Sequence, residues 1–208
     1  MKNPYWRIIS IGYLRLNPYW GEEKPRSRQE CTCTLVETEH ARIIIDPGLA
    51  SEEELAQKLY QHSGYHPEDI HIVFLTHFHQ HHWRSLSLFP RAQWLMSRTE
   101  IRWWQGRAEL RESERTVLSS FQAVEEHPLE GIEILPTPGH THGLTSLMFE
   151  TREGIVITAG DAVLTFDHFD DREPAGNCED RKMARRSIDQ IAKMADVVIP
   201  GHDNFFVV

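Results

Sequence analysis

Short apolar runs separated by polar turns dominate the chain and predict many β-strands. The runs are rich in β-branched and aromatic residues, and DIHIVFLTH is continuous enough to predict a strand buried on both faces. The segment LTSLMFETREGIVITAGD predicts a hairpin of two strands. The remaining strands are predicted in WRIISIGYLRL, CTCTLVET, ARIIIDPGL, AQWLMS, GIEILPTPGH and DVVIPGHD.

Helices are predicted between these strands. Ser51, with Glu54 three residues later, has the pattern of a capping box and begins an amphipathic helix that ends near Ser63. Further helices are predicted in RTEIRWWQG, ELRESERTVLSSF and RKMARRSIDQIAKMA, and the acidic segment FDHFDDREPAGNCED is predicted to be a solvated loop. Strands in both halves with helices between them predict an α/β protein of two mixed β-sheets with helices packed outside.

Composition limits the class of protein. The length of 208 residues predicts one domain over residues 1–208. The net charge of −9, from 22 basic and 31 acidic residues, disfavours nucleic acid as a partner, although bound cations would leave a nuclease open. No apolar stretch is long enough for a membrane span, and MKNPYWRIISIGYLRL lacks the pattern of a signal peptide, so a cytoplasmic protein without membrane contact is expected. Cys31, Cys33 and Cys178 are expected to be buried or partly buried thiols.

Residues that can carry chemistry follow apolar strands. The stretch THFHQHHW places four of the 13 histidines in six positions. His77 and His79 stand two apart in extended chain, so their rings project to one side, and His81 and His82 lie where the chain can turn back. Neutral imidazole is the commonest transition-metal ligand, and a carboxylate can bridge two ions. The pattern favours a metal site over a set of hydrogen-bonded structural histidines.

The motifs THFHQHH, TPGH, AGD and PGHD, in this order, resemble those of the metallo-β-lactamase superfamily of hydrolases. The lead signature of that family is His-x-His-x-Asp-His after a buried strand, and IIIDPG is similar to the turn that precedes it. The resemblance runs from about residue 32 to the end of the chain. It implies a four-layer αβ/βα sandwich, with metals at one edge between the sheets. It also implies the following roles: His77, His79 and His140 as ligands of a first metal, Asp161 as the bridging carboxylate, and His82 and His202 as ligands of a second metal.

His81 departs from the family motif, which has Asp at this place as a ligand and a water-orienting base. A histidine offers a ring nitrogen with a different reach, so the roles of ligand, base and outward-pointing residue all stay open. We hypothesise that His81 keeps a place in the site, and we name it with Asp161 as a catalytic candidate. Asp46 is expected to shape a turn, and a contact with a metal-bound histidine stays open.

The resemblance implies metal-assisted hydrolysis by a metal-bound hydroxide. Zn²⁺, as one or two ions, is the first choice because the ligand set is rich in nitrogen and oxygen and free of cysteine, while iron and manganese stay open. The acidic composition favours a small ester, lactone or thioester as substrate. The alternatives are a phosphodiesterase or nuclease of the same fold, a catalytically impaired metal-binding pseudo-enzyme, and an iron-containing redox relative. A homodimer also stays open.

Overall fold

The computed structural model describes residues 3–208, and two β-sheets form its centre. The six strands of the first sheet lie in chain order: β1 (Tyr5–Ser10), β2 (Cys33–Glu37), β3 (Arg42–Ile45), β4 (Ile72–Phe74), β5 (Gln93–Met96) and β6 (Gln122–Ala123). The five strands of the second sheet lie in the reverse of chain order: β11 (Phe206–Val207), β10 (Val197–Pro200), β9 (Gly154–Gly160), β8 (Thr145–Thr151) and β7 (Glu133–Pro136).

Both sheets are mixed, and their parallel strands point to the same edge of the molecule. Strands β3 to β6 pair in parallel, and so do β9 and β10. Strand β7 runs in the direction of β9, because both pair antiparallel with β8. At the edge where these strands end, the Thr145 amide donates to the Thr76 carbonyl at 3.0 Å, and the Thr32 amide donates to the Gly201 carbonyl at 2.7 Å. The two sheets are therefore joined by main-chain hydrogen bonds at this edge.

Alternation along the strands divides the core into layers. Ile43 and Ile45 of β3 pack with Val197 and Ile199 of β10 in a cluster between the sheets. Ile44 faces the other way and packs with the helices that cover the first sheet. In the same way, Val198 packs outward, against the helix that covers the second sheet. This period of two places helices outside both sheets.

Five α-helices accompany the sheets within residues 3–208. The helix of residues 52–63 covers the outer face of the first sheet and buries Leu55 and Leu59 there. The helix of residues 181–194 covers the outer face of the second sheet and buries Ile188 and Ile191. The helices are α1 (Glu52–Ser63), α2 (Arg98–Gln105), α3 (Glu112–Ser119), α4 (Phe166–Asp170) and α5 (Arg181–Met194). None of the helices within residues 3–208 has the length and apolar character that crossing a bilayer requires.

The predicted fold class is confirmed, since two mixed β-sheets carry helices on their outer faces. The predicted start of α1 is also confirmed, because the Ser51 hydroxyl accepts from the Glu54 amide at 3.2 Å. The predicted bounds of the first strand are wrong, since it ends at Ser10. A Cβ on Gly12 would lie 2.5 Å from main-chain atoms of residues 30–32, so the chain leaves the strand to make this close approach.

The acidic segment also differs from the prediction of a loop. It begins with α4, where the Thr165 side chain accepts from the His168 amide. Strands β6 and β11 have two residues each, too few to leave a periodic signal in the sequence. The first two residues of the predicted domain lie outside the described residues.

Candidate metal centre

Seven predicted site residues lie together where the strands of both sheets end. The structure divides them into two groups that share Asp161, and within each group the ligand atoms lie within 4.8 Å of one another. The first cluster is His77, His79, His140 and Asp161, and the second cluster is His81, His82, Asp161 and His202. His77 to His82 follow β4, His140 follows β7, Asp161 follows β9, and His202 follows β10.

The ring nitrogens of the first cluster converge. His79 Nδ1 lies 3.0 Å from His77 Nε2 and 2.9 Å from His140 Nε2. Asp161 Oδ2 lies 3.2 Å from His140 Nε2 and 3.8 Å from His77 Nε2. A tetrahedral ion with bonds of about 2.0–2.1 Å to nitrogen needs ligand atoms about 3.3–3.4 Å apart. The measured separations bracket that value.

The second cluster gathers around the other oxygen of the same carboxylate. Asp161 Oδ1 lies 3.2 Å from His82 Nε2 and 3.1 Å from His202 Nε2. His81 Nε2 lies 3.8 Å from Asp161 Oδ2, so the residue that departs from the family motif points inward. Asp161 therefore stands between the clusters, with Oδ1 facing His82 and His202 and Oδ2 facing His140.

Asp46 orients one ring in each cluster. It follows β3, and its Oδ2 accepts from His82 Nδ1 at 2.9 Å and from the Thr76 hydroxyl at 2.8 Å. The hydroxyl has one proton, which it donates to Asp46, so at 3.0 Å it accepts from His77 Nδ1. In its neutral form, a ring held in this way presents the lone pair of Nε2 to the centre. The predicted turn residue thus contacts a histidine of the site directly and a second one through Thr76.

His202 is oriented by main chain. Its Nδ1 donates to the Glu30 carbonyl at 2.7 Å, which leaves Nε2 turned towards Asp161. Glu30 is in turn paired with Tyr13, whose amide donates to the same carbonyl at 2.8 Å. The loop before β2 therefore helps to build the second cluster.

A cation fits the centre better than the protein groups alone. His82 Nε2 and Asp161 Oδ1 face each other, are buried, and have no hydrogen-bond partner. Both are acceptors when the imidazole is neutral, so only a proton or a metal ion between them satisfies both. Five of the seven side chains are buried, while His79 and His81 are half-buried, so the centre meets solvent on the side of these two rings.

The charges agree with a site for cations. Burial and the neighbouring His140 lower the pKa of His79 to about 3, and burial and the neighbouring His82 do the same for His81, so both rings are neutral at pH 7. Burial also lowers the pKa of His77 and of His140. These rings therefore offer lone pairs at neutral pH.

His82 and Asp161, in contrast to these neutral rings, are charged at neutral pH. Burial acts against the charged ring of His82, but the carboxylates of Asp161 and Asp46 outweigh it and raise the pKa of His82 to about 10. Burial acts against the charged carboxylate of Asp161, but His202, His82 and His140 hold the pKa of Asp161 well below its ordinary value. A proton on His82 and a metal ion therefore compete for the same place.

Glu100 is a buried carboxylate that the sequence reasoning missed. Its Oε1 accepts from the Phe78 amide at 3.1 Å and from Trp104 Nε1 at 2.7 Å. Its Oε2 accepts from the Thr141 hydroxyl at 2.8 Å and from the Gly143 amide at 3.0 Å. Phe78 stands between two histidines of the first cluster, and Thr141 follows the third. Glu100 thus ties together the two loops that carry that cluster.

Gln29 is the second residue that sequence reasoning missed. Its side-chain amide lies 3.0 Å from His81 Nε2 and 2.9 Å from His202 Nε2. A polar residue within a long loop carries no periodic or motif signal, so only the three-dimensional structure reveals this contact.

The aromatic residues near the histidine motif have separate positions. Trp83 stacks on Phe78 with ring centres 5.1 Å apart and so has a packing role. Trp104 meets the His79 ring edge-on at 5.7 Å, so it borders the first cluster. Trp103 stacks on the exposed His142 at 4.1 Å. His142 lies outside both clusters.

Comparison with known proteins agrees with the motifs. The family model of the metallo-beta-lactamase superfamily matches residues 26–202. Metallo-beta-lactamase domain-containing protein 1 of Xenopus laevis is 32% identical over 173 residues, which cover 81% of this chain and 69% of that protein. The N-acyl homoserine lactonase of Bacillus cereus is 26% identical over 201 residues, with 82% of this chain and 80% of that protein covered.

A solved structure shows the same fold. An N-acyl homoserine lactone hydrolase, with the product N-hexanoyl-L-homoserine bound at its catalytic metal centre, superposes with a TM-score of 0.72 and 23% identity. The match covers 97% of this chain and 93% of that one.

Proposed function

The chain belongs to the metallo-β-lactamase superfamily and is a hydrolase, and we propose that it is a zinc-dependent hydrolase that opens lactone rings. The observation that carries the proposal is the pair of histidine clusters that share Asp161. The substrate class is supported by the relative of Bacillus cereus, which is an N-acyl homoserine lactonase. The expected cytoplasmic location remains a prediction.

Each cluster is proposed to hold one ion. His77, His79 and His140 would hold the first, His81, His82 and His202 the second, and Asp161 would contact both. Six imidazoles and one carboxylate, without a thiolate, form a donor set that suits Zn²⁺. When bound, the ions polarise a substrate carbonyl and lower the pKa of a water molecule that they hold.

The residues of the chain prepare the site for this chemistry. Asp161 stays ionised, so it balances part of the positive charge of the ions. Asp46 and Thr76 hold the rings of His82 and His77 with Nε2 turned inward, so no reorientation is needed when an ion binds. Such fixed groups lower the cost of reaching the transition state.

His81 acts as a lone-pair donor in this proposal. Burial and the neighbouring His82 lower the pKa of His81 to about 3, which makes the ring a weak proton acceptor at neutral pH. Its Nε2 is turned to Asp161 and is therefore placed to bind an ion. Of the two catalytic candidates, Asp161 is proposed as the bridging ligand and His81 as a ligand of the second ion.

The net charge favours a lactone over a phosphodiester. A chain with a formal charge of −9 repels a polyanion, whereas a lactone carries no charge that needs a basic surface. The substrate would approach from the side of His79 and His81, which are the half-buried members of the site.

A substrate panel tests the proposal. Purified protein loaded with Zn²⁺ is assayed on an N-acyl homoserine lactone, an open-chain ester of the same acid, and bis(4-nitrophenyl) phosphate. We expect the lactone to be hydrolysed fastest, chelation to abolish the reaction, and added Zn²⁺ to restore it. Asp161→Asn should lose activity, while Asp170→Asn, a matched change at an exposed position, should keep it.

Three results would contradict the proposal. Lactone hydrolysis that survives both chelation and Asp161→Asn would show that the metal is not the catalyst. Faster cleavage of the phosphodiester would assign the chain to the alternative class. A fully loaded protein that hydrolyses no member of the panel would favour the pseudo-enzyme.

A further inference from the structure

Gln29 lies in the loop between β1 and β2, half-buried beside the second cluster. Its terminal amide is within 3.0 Å of the Nε2 atoms of both His81 and His202. These two nitrogens belong to different loops and both face Asp161. The amide therefore occupies the same small volume as the ligand atoms of the second cluster.

Hydrogen bonds hold the main chain in place at Gln29 and at the residue that follows it. Arg84 Nη1 donates to the Gln29 carbonyl at 2.9 Å. The next residue, Glu30, exchanges main-chain hydrogen bonds with Tyr13 at 2.8 and 3.1 Å and accepts from His202 Nδ1 at 2.7 Å. Because these hydrogen bonds fix the main chain, they also direct the Gln29 side chain towards His81 and His202.

The second cluster has fewer oxygen donors than the family motif would provide. The motif has a carboxylate at position 81, and this chain has His81 there. Asp161 is left as the carboxylate of both clusters. An additional oxygen near His81 would restore an oxygen ligand without adding charge.

A side-chain amide can serve both the empty and the loaded cluster. Without an ion, its NH2 group donates to the two ring nitrogens, as observed. With an ion bound, the lone pairs of the two rings would bind the ion, and the NH2 group would lose its hydrogen-bond acceptors. Rotation of the amide by about 180° exchanges its nitrogen and oxygen with little change of shape. The carbonyl oxygen then faces the cation, for which it is a suitable ligand.

We infer that Gln29 is a ligand of the second metal ion, and that its carbonyl oxygen takes the place of the carboxylate missing at position 81. The inference rests on the proposed binding of an ion by the second cluster. It adds a residue from outside the histidine motifs, and it gives the loop before β2 a direct part in metal binding.

Metal binding by position-29 variants tests the inference without any assay of activity. Metal-free protein is titrated with Zn²⁺ against a coloured competing chelator, and bound ions are counted at saturation. Gln29→Leu keeps most of the side-chain volume but has no donor, Gln29→Ala removes the side chain, and Gln29→Glu supplies a charged oxygen. Gln80→Ala is the matched control, because Gln80 is an exposed glutamine beside the same cluster.

The wild type should bind two ions. Both Gln29→Leu and Gln29→Ala should bind the first ion as the wild type does and the second about 10-fold or more weakly. Gln29→Glu should bind the second ion at least as tightly as the wild type, and Gln80→Ala should not differ from it. Thermal unfolding of the metal-free proteins shows whether each variant is folded, and Gln29→Glu keeps the test valid where a smaller side chain unfolds the loop.

Unchanged affinity for the second ion in Gln29→Leu and Gln29→Ala would overturn the inference. Tighter binding in those variants would also overturn it, since the amide would then be a competitor for the ring nitrogens. A wild type that binds one ion would refute the role of Gln29 but leave hydrolysis by the first cluster intact. A wild type that binds no ion would refute the proposed function itself.

Discussion

Replacing Glu100 with glutamine should loosen the first cluster. The carboxylate is fully buried and accepts four hydrogen bonds, two on each oxygen. Glutamine has nearly the same size, but its NH2 group can accept none of them. The change therefore alters polarity while leaving the packing of α2 in place.

The orientation that glutamine adopts sets the magnitude. With Nε2 turned to Thr141 and Gly143, the hydroxyl can rotate to accept, and the Gly143 amide alone is left without a partner. With Nε2 turned the other way, the Phe78 amide and Trp104 Nε1 both lose their acceptor. The first orientation is better, and one orphaned buried donor costs about 1–3 kcal/mol. Since burial raises the pKa of Glu100, relief of that buried charge keeps the total within this range.

The same substitution should also lower the affinity for the metal. The Phe78 amide lies between His77 and His79, and Thr141 follows His140, so a looser Glu100 relaxes all three rings. Loss of such outer contacts lowers metal affinity by about 10-fold or more. We expect this loss for the first ion and a smaller one for the second.

Urea unfolding of the metal-free protein and Zn²⁺ titration measure the two effects. Glu125→Gln is the matched control, because Glu125 is exposed and caps the same helix by accepting from the Arg98 amide at 3.0 Å. The control should change the free energy of unfolding by less than about 0.5 kcal/mol. If Glu100→Gln matches this control in both stability and first-ion affinity, the proposed tie between the two loops is wrong.

Three further predictions concern metal, protons and thiols. Chelation should lower the free energy of unfolding, by about 2.7 kcal/mol where free Zn²⁺ had been 100-fold above its Kd, and equal urea midpoints with and without chelator would contradict this. Affinity for the second ion should rise about tenfold per pH unit between pH 6.5 and 8.5, because the pKa of His82 is raised to about 10 and its proton must leave when the ion binds. Calorimetry in buffers of different ionisation enthalpy counts that proton. An affinity that does not change with pH would argue against this role of His82. Burial raises the pKa of Cys31, Cys33 and Cys178, and the first two are fully buried. An alkylating reagent at pH 8 should therefore modify Cys178 slowly and the other two thiols only after unfolding. Mass spectrometry of the treated protein measures this.

The sequence predicts the parts of the fold that depend on periodic burial. Ile43 to Ile45 alternate between two core clusters, and such alternation is visible as apolar runs. The histidines are also recognisable, because they follow strands and, except for His81, match the motifs in order. Their roles as ligands stay predictions, although the structure brings all seven predicted residues together.

Glu100 and Gln29 could not be predicted, for different physical reasons. Glu100 stands three residues after Ser97, which has the pattern of a capping box, and the Ser97 hydroxyl does accept from the Glu100 amide at 3.1 Å. The local capping pattern thus accounts for Glu100 in the sequence and gives no sign of its contacts with Phe78 and Gly143, which lie far along the chain. Gln29 acts through side-chain contacts with His81 and His202 that depend on how its loop folds over the second cluster.

Because Asp161 is shared, the two clusters form one thermodynamic system. An ion in either cluster draws on the same unit of negative charge, and two cations a few ångströms apart repel each other. Reciprocity then requires that each ion weaken the other by the same factor, whichever binds first. One ion would be retained and the other exchanged with the surroundings. The fraction of doubly loaded protein would therefore follow the free metal concentration.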